Sequence, residues 1–341
     1  MTDTLVLDAA DRLFADQATP ALVNAAENGE WPKDLWNAID EAGFPDVLGS
    51  IADLPDALDI LRAAGRHAVP LPLAETMLAR FALRAAGARI PTGPLTLAPV
   101  ERDDVVSLRR DGGGWQLSGI ARRVPWSREA PAIVVIADGM AALVAPGQTV
   151  ARRATNLAGE PRDSVDLTAP LAGDAVTPLP HSVDRDLVYR LGALCRAAQM
   201  AGALEAALAL TTQYANDRVQ FGRPIGKFQA IQQLLAQFAE QVAAATVAVT
   251  ASADEIARGG DIVFAAAIAK IRAGEAAGKS AEIAHQVHGA IGFTHEHRLH
   301  HLTRRLWSWR DEFGVESEWS IALGRQIAAE GTEAFWPRLT A

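Results

Sequence analysis

The residues with the clearest chemical potential lie in DRVQFGRPIGKF, a turn between two helical stretches in the C-terminal half of the chain. Arg218 is expected at the end of the first helix, where its charge complements the negative pole of the helix dipole. Phe221 follows in a turn that Gly222, Pro224 and Gly226 fix. An ordinary helix end, with a packed Phe and a solvated Arg, accounts for this segment taken alone. The alternative is a binding corner, in which the guanidinium reaches a phosphate and the ring forms an aromatic wall beside it.

A second turn with chemical potential is QVHGAIGF, at the end of a later helical stretch. Gly289 and Gly292 bracket this tight turn, and small residues there let a ligand approach the backbone closely. Gln286, on the last helical turn before it, can offer its side-chain amide to a polar ring. The sequence therefore contains two separate turns that could bind a polar ligand.

Histidines cluster around and after the second turn, and their spacing raises the question of a metal. His297 and His301 lie four residues apart, a spacing that can chelate a metal on one helical face, and Glu296 could add a carboxylate. No cysteine joins them, and the arginines that follow would disfavour a cation. We therefore predict a polar surface with helix-end histidines and no metal site. The six histidines are His285, His288, His295, His297, His300 and His301.

The elements that must position these turns fall into three regions with different periodicity. Residues 1–90 carry apolar residues at helical spacing, such as Leu54, Leu58 and Leu61. Residues 91–180 are dense in Pro and Gly with short β-branched runs, which predicts an antiparallel sandwich or barrel. Residues 181–341 hold long helices with short connections, which predicts a four-helix bundle. The predicted fold is α+β and multidomain: an N-terminal helical domain, a middle antiparallel β domain and a C-terminal helical bundle.

Composition excludes several classes of function. The chain has 341 residues and a formal net charge of −9, which does not suggest a nucleic-acid partner. Its one cysteine, Cys195, lies in an Ala-rich helical stretch and is predicted to be a small buried side chain. The N-terminus lacks the basic start and apolar block of a signal peptide, and no charge-free apolar run approaches about 18 residues. We therefore expect a cytoplasmic protein without a membrane span.

Together, the two turns and the order of the three regions resemble the acyl-CoA dehydrogenase family, over nearly the whole chain. The first turn matches that family's R-x-x-F-G motif and its following Gln. The second turn matches the family's Q-x-x-G-G-x-G-aromatic motif, with Ala290 where a second Gly is usual.

The resemblance implies that flavin adenine dinucleotide (FAD) is bound between subunits. Arg218 and Phe221 would contact a dinucleotide held mainly by a neighbouring subunit. Gln286 and Gly289 would contact its adenosine half, and Gln229, which opens the next helix, would join them. The implied reaction is α,β-dehydrogenation of an acyl-CoA thioester, in which a carboxylate removes the α proton and the flavin accepts the β hydride.

The position of the catalytic base departs from the family's pattern. The family's usual base, a Glu before a Gly, corresponds to Phe313, which is followed by Gly314. Glu312 and Asp311 are one and two residues out of register, and on a helix one residue is a rotation of about 100°. The family's alternative base position corresponds to Gly192, which has no side chain.

The β region also lacks the family's flavin-binding walls. Neither the T-E-x-x-x-G-S-D loop nor the W-[IS]-[TS] strand is present, and Arg123 and Pro125 occupy the Trp and hydroxyl positions of the latter. Trp126 is either a ring that stacks on a ligand or a packed residue at the end of a strand. The chain therefore resembles the short subunit of two-component acyl-CoA dehydrogenases, heterotetramers with a homologous full-length partner. Such enzymes are associated with bacterial degradation of steroid side chains and other bulky acyl-CoAs.

Three hypotheses follow from the resemblance. The leading one is a subunit of a flavin-dependent dehydrogenase whose partner supplies the base. The second is a self-sufficient homo-oligomer with Glu312 as an out-of-register base, and the third is a non-catalytic structural subunit. Asp311 and Glu312 are expected to pair with Arg304, Arg305 or Arg310 rather than act as bases, because paired carboxylates have a lowered pKa.

Overall fold

In the computed structural model of the protein, the described residues are 4–145, 150–331, 333, 336 and 337. The first part of the chain is helical. Leu54, Leu58 and Leu61 share the buried face of one of these helices, as their spacing predicts. The helices are α1 (Thr4–Gln17), α2 (Pro20–Glu27), α3 (Lys33–Glu41), α4 (Leu54–Arg66) and α5 (Leu73–Ala85).

The middle part forms two sheets that enclose an apolar core of β-branched and aliphatic side chains. One sheet has the strand order β1-β4-β5-β9, and the other has the order β2-β3-β7-β6, with β8 paired to β3. The prediction of a wholly antiparallel β region is wrong in one place, because β1 and β4 are parallel. The chain between them crosses into the other sheet through β2 and β3 before it returns. The strands are β1 (Leu95–Ala98), β2 (Val106–Asp111), β3 (Gly114–Pro125), β4 (Ala132–Ala137), β5 (Met140–Val144), β6 (Val150–Arg152), β7 (Arg162–Asp166), β8 (Ala169–Leu171) and β9 (Val176–Pro178).

The last part of the chain is a helical bundle. Asp184 caps its first helix by accepting the N–H of Leu187 at 2.7 Å. The first three helices of the bundle run up, down and up, so the end of the first, the start of the second and the end of the third lie at the same end of the bundle. The elements are α6 (Arg185–Asp217), β10 (Val219–Gln220), β11 (Arg223–Pro224), α7 (Gln229–Ala257), α8 (Ile262–His288), α9 (Leu299–Asp311) and α10 (Glu316–Glu330).

The two helical regions share one apolar core. Residues of α4, such as Leu61, and of α6, such as Leu194, belong to the same buried cluster. Cys195 is buried there too, as predicted, and burial raises the pKa of its thiol to about 12. The predicted order of helical, β and helical regions is confirmed, and α6 is the central helix against which the N-terminal helices pack.

Two helices, α6 and α7, are long and apolar enough to cross a membrane by length and composition alone. In α6, 78% of the most apolar window is buried, so this apolarity serves the protein core. In α7 the corresponding share is only 28%. The first turns of α7 carry Gln229, Gln232, Gln233 and Gln237, all exposed. The exposed face of α7 therefore carries both apolar and polar side chains.

Candidate functional site

The turn after α6 holds an aromatic ring out of the protein. Val219 and Gln220 pair with Pro224 and Arg223 in a two-residue hairpin. Its central residues, Phe221 and Gly222, have φ angles of 52° and 78°, as a type I′ turn requires. Phe221 is 91% exposed.

A left-handed backbone costs a non-glycine residue roughly 1 kcal/mol, and strain of this kind concentrates at functional sites. An exposed Phe in that conformation is not explained by packing within this chain. Among the described residues, the one aromatic ring in contact with Phe221 is that of Phe228, edge to face with centroids 6.1 Å apart. We name residues 218–228 the Arg218 turn.

Arg218 and Gln229 flank this hairpin, and both are exposed. Arg218 ends α6 because its backbone is extended (φ −77°, ψ 112°), while its N–H still donates to the carbonyl of Tyr214. Among the described residues, the Arg218 guanidinium has no ion-pair partner. Gln229 is the first residue of α7, as predicted. The corner therefore presents a cation, a ring and an amide to the exterior.

The turn after α8 depends on glycine for its backbone. Gly289 has φ 63° and ψ −142°, a region that essentially only glycine adopts. A Cβ on Gly289 would meet nothing within 4 Å, so the backbone rather than lack of space requires glycine, and the turn faces open space. Gln286 is exposed and lines a groove between α7 and α8, together with Gln237 and Lys279. We name residues 286–293 the Gly289 turn.

The two turns lie at the same end of the bundle and are joined by a direct contact. The ring of Tyr214, on the last turn of α6, stacks on the ring of His288, the last residue of α8, with centroids 4.5 Å apart. Arg218 and Gly289 follow these two residues along the chain. The fold thus brings together the two turns that the sequence singled out.

Glu312 lies elsewhere, in a buried ion network at the end of α9. Its carboxylate accepts from Arg162 Nε and Arg196 Nε, both at 2.7 Å, and from Arg162 Nη2 at 3.1 Å. Asn156 donates to it as well, at 3.3 Å. Arg196 also pairs with Glu75, so the network joins α5, α6, α9 and strand β7.

This geometry corrects the candidate role of Glu312 as a catalytic base. Burial raises the pKa of Glu312, but the guanidiniums of Arg162 and Arg196 outweigh burial and lower that pKa to about 2. A carboxylate so stabilised in its charged form is a poor proton acceptor. The expectation that Glu312 pairs with arginines is correct, but the partners are not the neighbouring Arg304, Arg305 or Arg310.

The two positions that the resemblance assigns to the base are in contact with each other. A Cβ on Gly192 would lie 2.4 Å from two atoms of the Phe313 ring. Phe313 is buried and also contacts Tyr189, with ring centroids 5.8 Å apart. The aromatic ring therefore fills the space that a carboxylate at position 192 would need, and position 313 carries this ring in place of a carboxylate.

Comparisons with known proteins bear on this arrangement. A family model described as "Acyl-CoA dehydrogenase, C-terminal domain" matches residues 190–310. The acyl-CoA dehydrogenase IpdE2 of Mycobacterium tuberculosis is 31% identical over 308 residues, which is 86% of this chain and 87% of the relative. The chain belongs to the acyl-CoA dehydrogenase family.

Solved structures agree with the family in fold. The ChsE4-ChsE5 complex from Mycobacterium tuberculosis superposes with a TM-score of 0.86 at 24% identity, and covers 96% of this chain and 98% of the matched one. The Tcur3481-Tcur3483 steroid ACAD gives a TM-score of 0.85 at 26% identity, with coverage of 96% and 98%. The predicted acyl-CoA dehydrogenase-like fold is confirmed, and FAD, the predicted cofactor, is the cofactor of this family.

The residues of this acyl-CoA dehydrogenase chain fit one part of FAD. Arg218 could pair with the pyrophosphate and Phe221 could lie against it, while Gln286 and the open backbone at Gly289 suit the adenosine half. Neither position that the resemblance assigns to the base carries a carboxylate, since Phe313 occupies one and its ring fills the space beside Gly192, the other. Tyr214 and His288, which the sequence reading missed, join the two turns. Tyr214 could have been found from the sequence because it lies one helical turn before Arg218.

Four of the six clustered histidines of this acyl-CoA dehydrogenase chain are buried, which corrects the predicted polar surface. His285, His288, His300 and His301 are all buried. Ligand atoms of His300, His301 and Glu27 lie within 4.8 Å of one another. However, the two Glu27 oxygens accept from Arg304 and Arg305 at 2.8 Å, and these cations oppose a metal ion. His297 is not part of that group, and we assign no metal.

Buried histidines make the folded chain sensitive to acid. Burial lowers the pKa of His301 to about 3, with help from its cationic neighbours, whereas the unfolded chain titrates near 6.5. The unfolded state therefore binds a proton below pH 6.5 that the folded state does not bind. We therefore expect the titration of His301 to lower the free energy of unfolding by roughly 2 kcal/mol when the pH falls from 7.5 to 5.

Urea unfolding of the wild type and His301→Gln at both pH values measures this effect. Gln can keep a hydrogen bond to Asn24, which His301 contacts at 2.8 Å. The variant should lose less stability on acidification than the wild type. The matched control is His181→Gln, an exposed histidine. Equal acid sensitivity of wild type and His301→Gln would contradict the prediction.

Proposed function

We propose that the chain is a subunit of a flavin-dependent acyl-CoA dehydrogenase that catalyses α,β-dehydrogenation of an acyl-CoA thioester with a homologous full-length partner. The observation that carries this proposal is the contact between Phe313 and Gly192, which leaves no room for a base in this chain's own acyl site. The partner subunit then supplies the carboxylate that removes the α proton.

The Arg218 turn and the Gly289 turn supply this chain's contribution to the reaction. FAD, when bound, supplies the chemistry of hydride acceptance. Arg218 offers a bidentate cation for a pyrophosphate, and its exposed guanidinium is available to a group held by another subunit. Phe221 excludes water beside that ion pair, and a ring already held outward loses little conformational freedom on binding.

Association with a homologous subunit is supported by the exposed face of α7. Val247 in the middle of α7 is 66% exposed, and most of this helix's apolar window is uncovered. An uncovered helix face that mixes apolar and uncharged polar side chains is suited to an interface between subunits. The groove that contains Gln286 lies between α7 and α8, so an assembly over this face would place the partner beside the Gly289 turn.

The proposed substrate is a bulky acyl-CoA thioester, such as one derived from a steroid side chain. The name of one matched structure, a steroid ACAD at 26% identity over 96% of this chain, supports this substrate class. The acyl pocket would belong mainly to the partner, because the corresponding space here is filled.

A self-sufficient homo-oligomer with Glu312 as base is disfavoured by the burial and pairing of that carboxylate. A non-catalytic structural subunit is the remaining alternative. The exposed, strained Phe221 favours a binding role over it, since a purely structural chain has no use for a ring held in solvent. Replacement of Arg218 distinguishes a flavin-binding subunit from a purely structural one.

The experiment is co-expression with a full-length acyl-CoA dehydrogenase subunit from the same organism, followed by measurement of bound flavin from the visible spectrum. The chain alone is expected to purify without flavin, and the complex with flavin. Arg218→Ala should weaken FAD binding to the complex at least tenfold, because a charge-assisted pair is worth about 1.5–3 kcal/mol.

Arg258→Ala, an exposed arginine at the far end of α7, is the matched control and should leave the flavin content unchanged. Full flavin retention by Arg218→Ala would point to the structural-subunit alternative. Stoichiometric flavin and activity in the isolated chain would instead establish the self-sufficient enzyme.

A further inference from the structure

Three rings from three different elements meet beneath the two turns. Tyr214 of α6 lies nearly parallel to His288 of α8, with an interplanar angle of 22° and centroids 4.5 Å apart. His297, in the loop before α9, lies edge-on to both, with centroids 4.7 Å from His288 and 6.3 Å from Tyr214. We name Tyr214, His288 and His297 the ring stack.

Two residues of the stack, Tyr214 and His288, lie close to the turns along the chain. The carbonyl of Tyr214 accepts the N–H of Arg218 at 2.8 Å. His288 immediately precedes Gly289, and its Nδ1 donates to the carbonyl of Ala284 at 2.8 Å. The stacked pair therefore joins the backbone that leads into the Arg218 turn to the backbone that leads into the Gly289 turn.

The three side chains of the ring stack contact each other through their aromatic faces and edges, not through hydrogen bonds. No hydrogen bond connects the Tyr214 hydroxyl to His288 or His297 within the described part of the chain. His288 Nε2 is buried and has no hydrogen-bond partner among the described residues, which is a cost that the surrounding packing must offset. Aromatic pairs of this geometry contribute about 0.5–1.5 kcal/mol beyond their burial.

We propose that Tyr214 is a positioning residue for the cofactor: its stacking on His288 sets the separation between the Arg218 turn and the Gly289 turn. The inference rests on the proposed function, in which both turns contact one dinucleotide. A single ligand that touches both turns binds best when they are already held at a fixed separation, because otherwise its binding must order them. Without the ring, α6 and α8 stay packed along their length but lose the aromatic contact between their last turns.

The test uses the flavin-containing complex with its partner subunit and measures the FAD dissociation constant by flavin fluorescence after removal and readdition of FAD. Tyr214→Leu keeps apolar volume and removes the ring, and it should weaken FAD binding about tenfold. Tyr214→Phe keeps the ring and should bind FAD within twofold of the wild type. Because the chemistry is unaffected, kcat at saturating FAD should be retained in Tyr214→Leu.

A double-mutant cycle isolates the contact itself. His288→Leu should weaken FAD binding as Tyr214→Leu does, and the double variant should be no worse than either single one, because both remove the same interaction. All titrations are run well below the thermal midpoint of each apo complex, so that unfolding does not contribute to the measured affinity.

The outcomes separate this inference from the proposed function. Wild-type affinity in Tyr214→Leu, or an equal loss in Tyr214→Phe, would overturn the positioning role while flavin loss in Arg218→Ala still supported the proposed function. Additive losses in the double variant would show that the two rings act independently, which also overturns it. Unchanged flavin binding in Arg218→Ala would overturn both.

Discussion

Replacement of Glu312 by Ala is expected to lower the free energy of unfolding by about 3–5 kcal/mol, the usual effect of removing one partner from a buried ion pair. The substitution leaves Arg162 and Arg196 buried without their shared carboxylate. Both guanidiniums are almost fully buried and bond Glu312 at 2.7 Å. Neither can turn to water, because Arg162 lies in a strand and Arg196 in the central helix.

Urea unfolding at pH 7.5 measures this loss, with Asp311→Ala as the matched control. Asp311 is the neighbouring carboxylate, but it is exposed, so its removal should change stability by less than about 0.5 kcal/mol. Glu312→Gln supplies a second variant, since it keeps the shape of the side chain and removes the charge. A Glu312→Gln complex that is as stable as the wild type but lacks activity would contradict the structural role and restore the base hypothesis.

The Glu312 network has a functional meaning as well as a structural one. It joins the two helical regions and the β region at the place next to Phe313, where the family's acyl chemistry would occur. A thioester needs free space beside the base, whereas here the paired Glu312 and the packed Phe313 ring fill that space. The same residues that stabilise this chain therefore leave no free carboxylate at that place, which is consistent with the proposed base on the partner.

The turns were predictable from the sequence because their signals are local. Arg218, Phe221 and Gly289 lie in short segments whose residue types fix the backbone, and the structure shows the exposed ring and the glycine-only conformation. The helical and β regions were predictable for the same reason, since periodicity of 3.6 or 2 is a local property. Parallel pairing of β1 and β4 depends on a crossover and has no local signal.

The partners of Glu312 could not be predicted, because they lie 150 and 116 residues away along the chain. Arg304, Arg305 and Arg310 are close to Glu312 along the chain, but closeness in sequence did not predict its partners in the fold. Phe313 and Gly192 were each singled out by the resemblance, but only the fold shows that the missing side chain of one makes room for the ring of the other.

Gly202→Ala is expected to destabilise the chain by about 3 kcal/mol or more, at the upper end of the cost of overpacking. A Cβ on Gly202 would lie 1.8 Å from the carbonyl oxygen of Arg62 and 2.8 Å from the backbone nitrogen of Arg66. The contact is reciprocal, because a Cβ on Gly65 would lie 2.0 Å from the carbonyl oxygen of Gln199. Helices α4 and α6 thus touch backbone to backbone, and no flexible side chain can yield.

The measurement is urea unfolding of Gly202→Ala beside Gly324→Ala, a matched substitution on the exposed face of α10. A Cβ at Gly324 would meet nothing within 4 Å, so Ala there should stabilise its helix by up to about 1 kcal/mol. If Gly202→Ala lowers and Gly324→Ala raises the free energy of unfolding, then the α4–α6 contact, not helix propensity, determines the effect at Gly202. Because α6 carries both Gly192 and the residues that lead into the Arg218 turn, separation of α4 from α6 should also reduce flavin content in the complex. A Gly202→Ala chain of wild-type stability would contradict this close helix crossing.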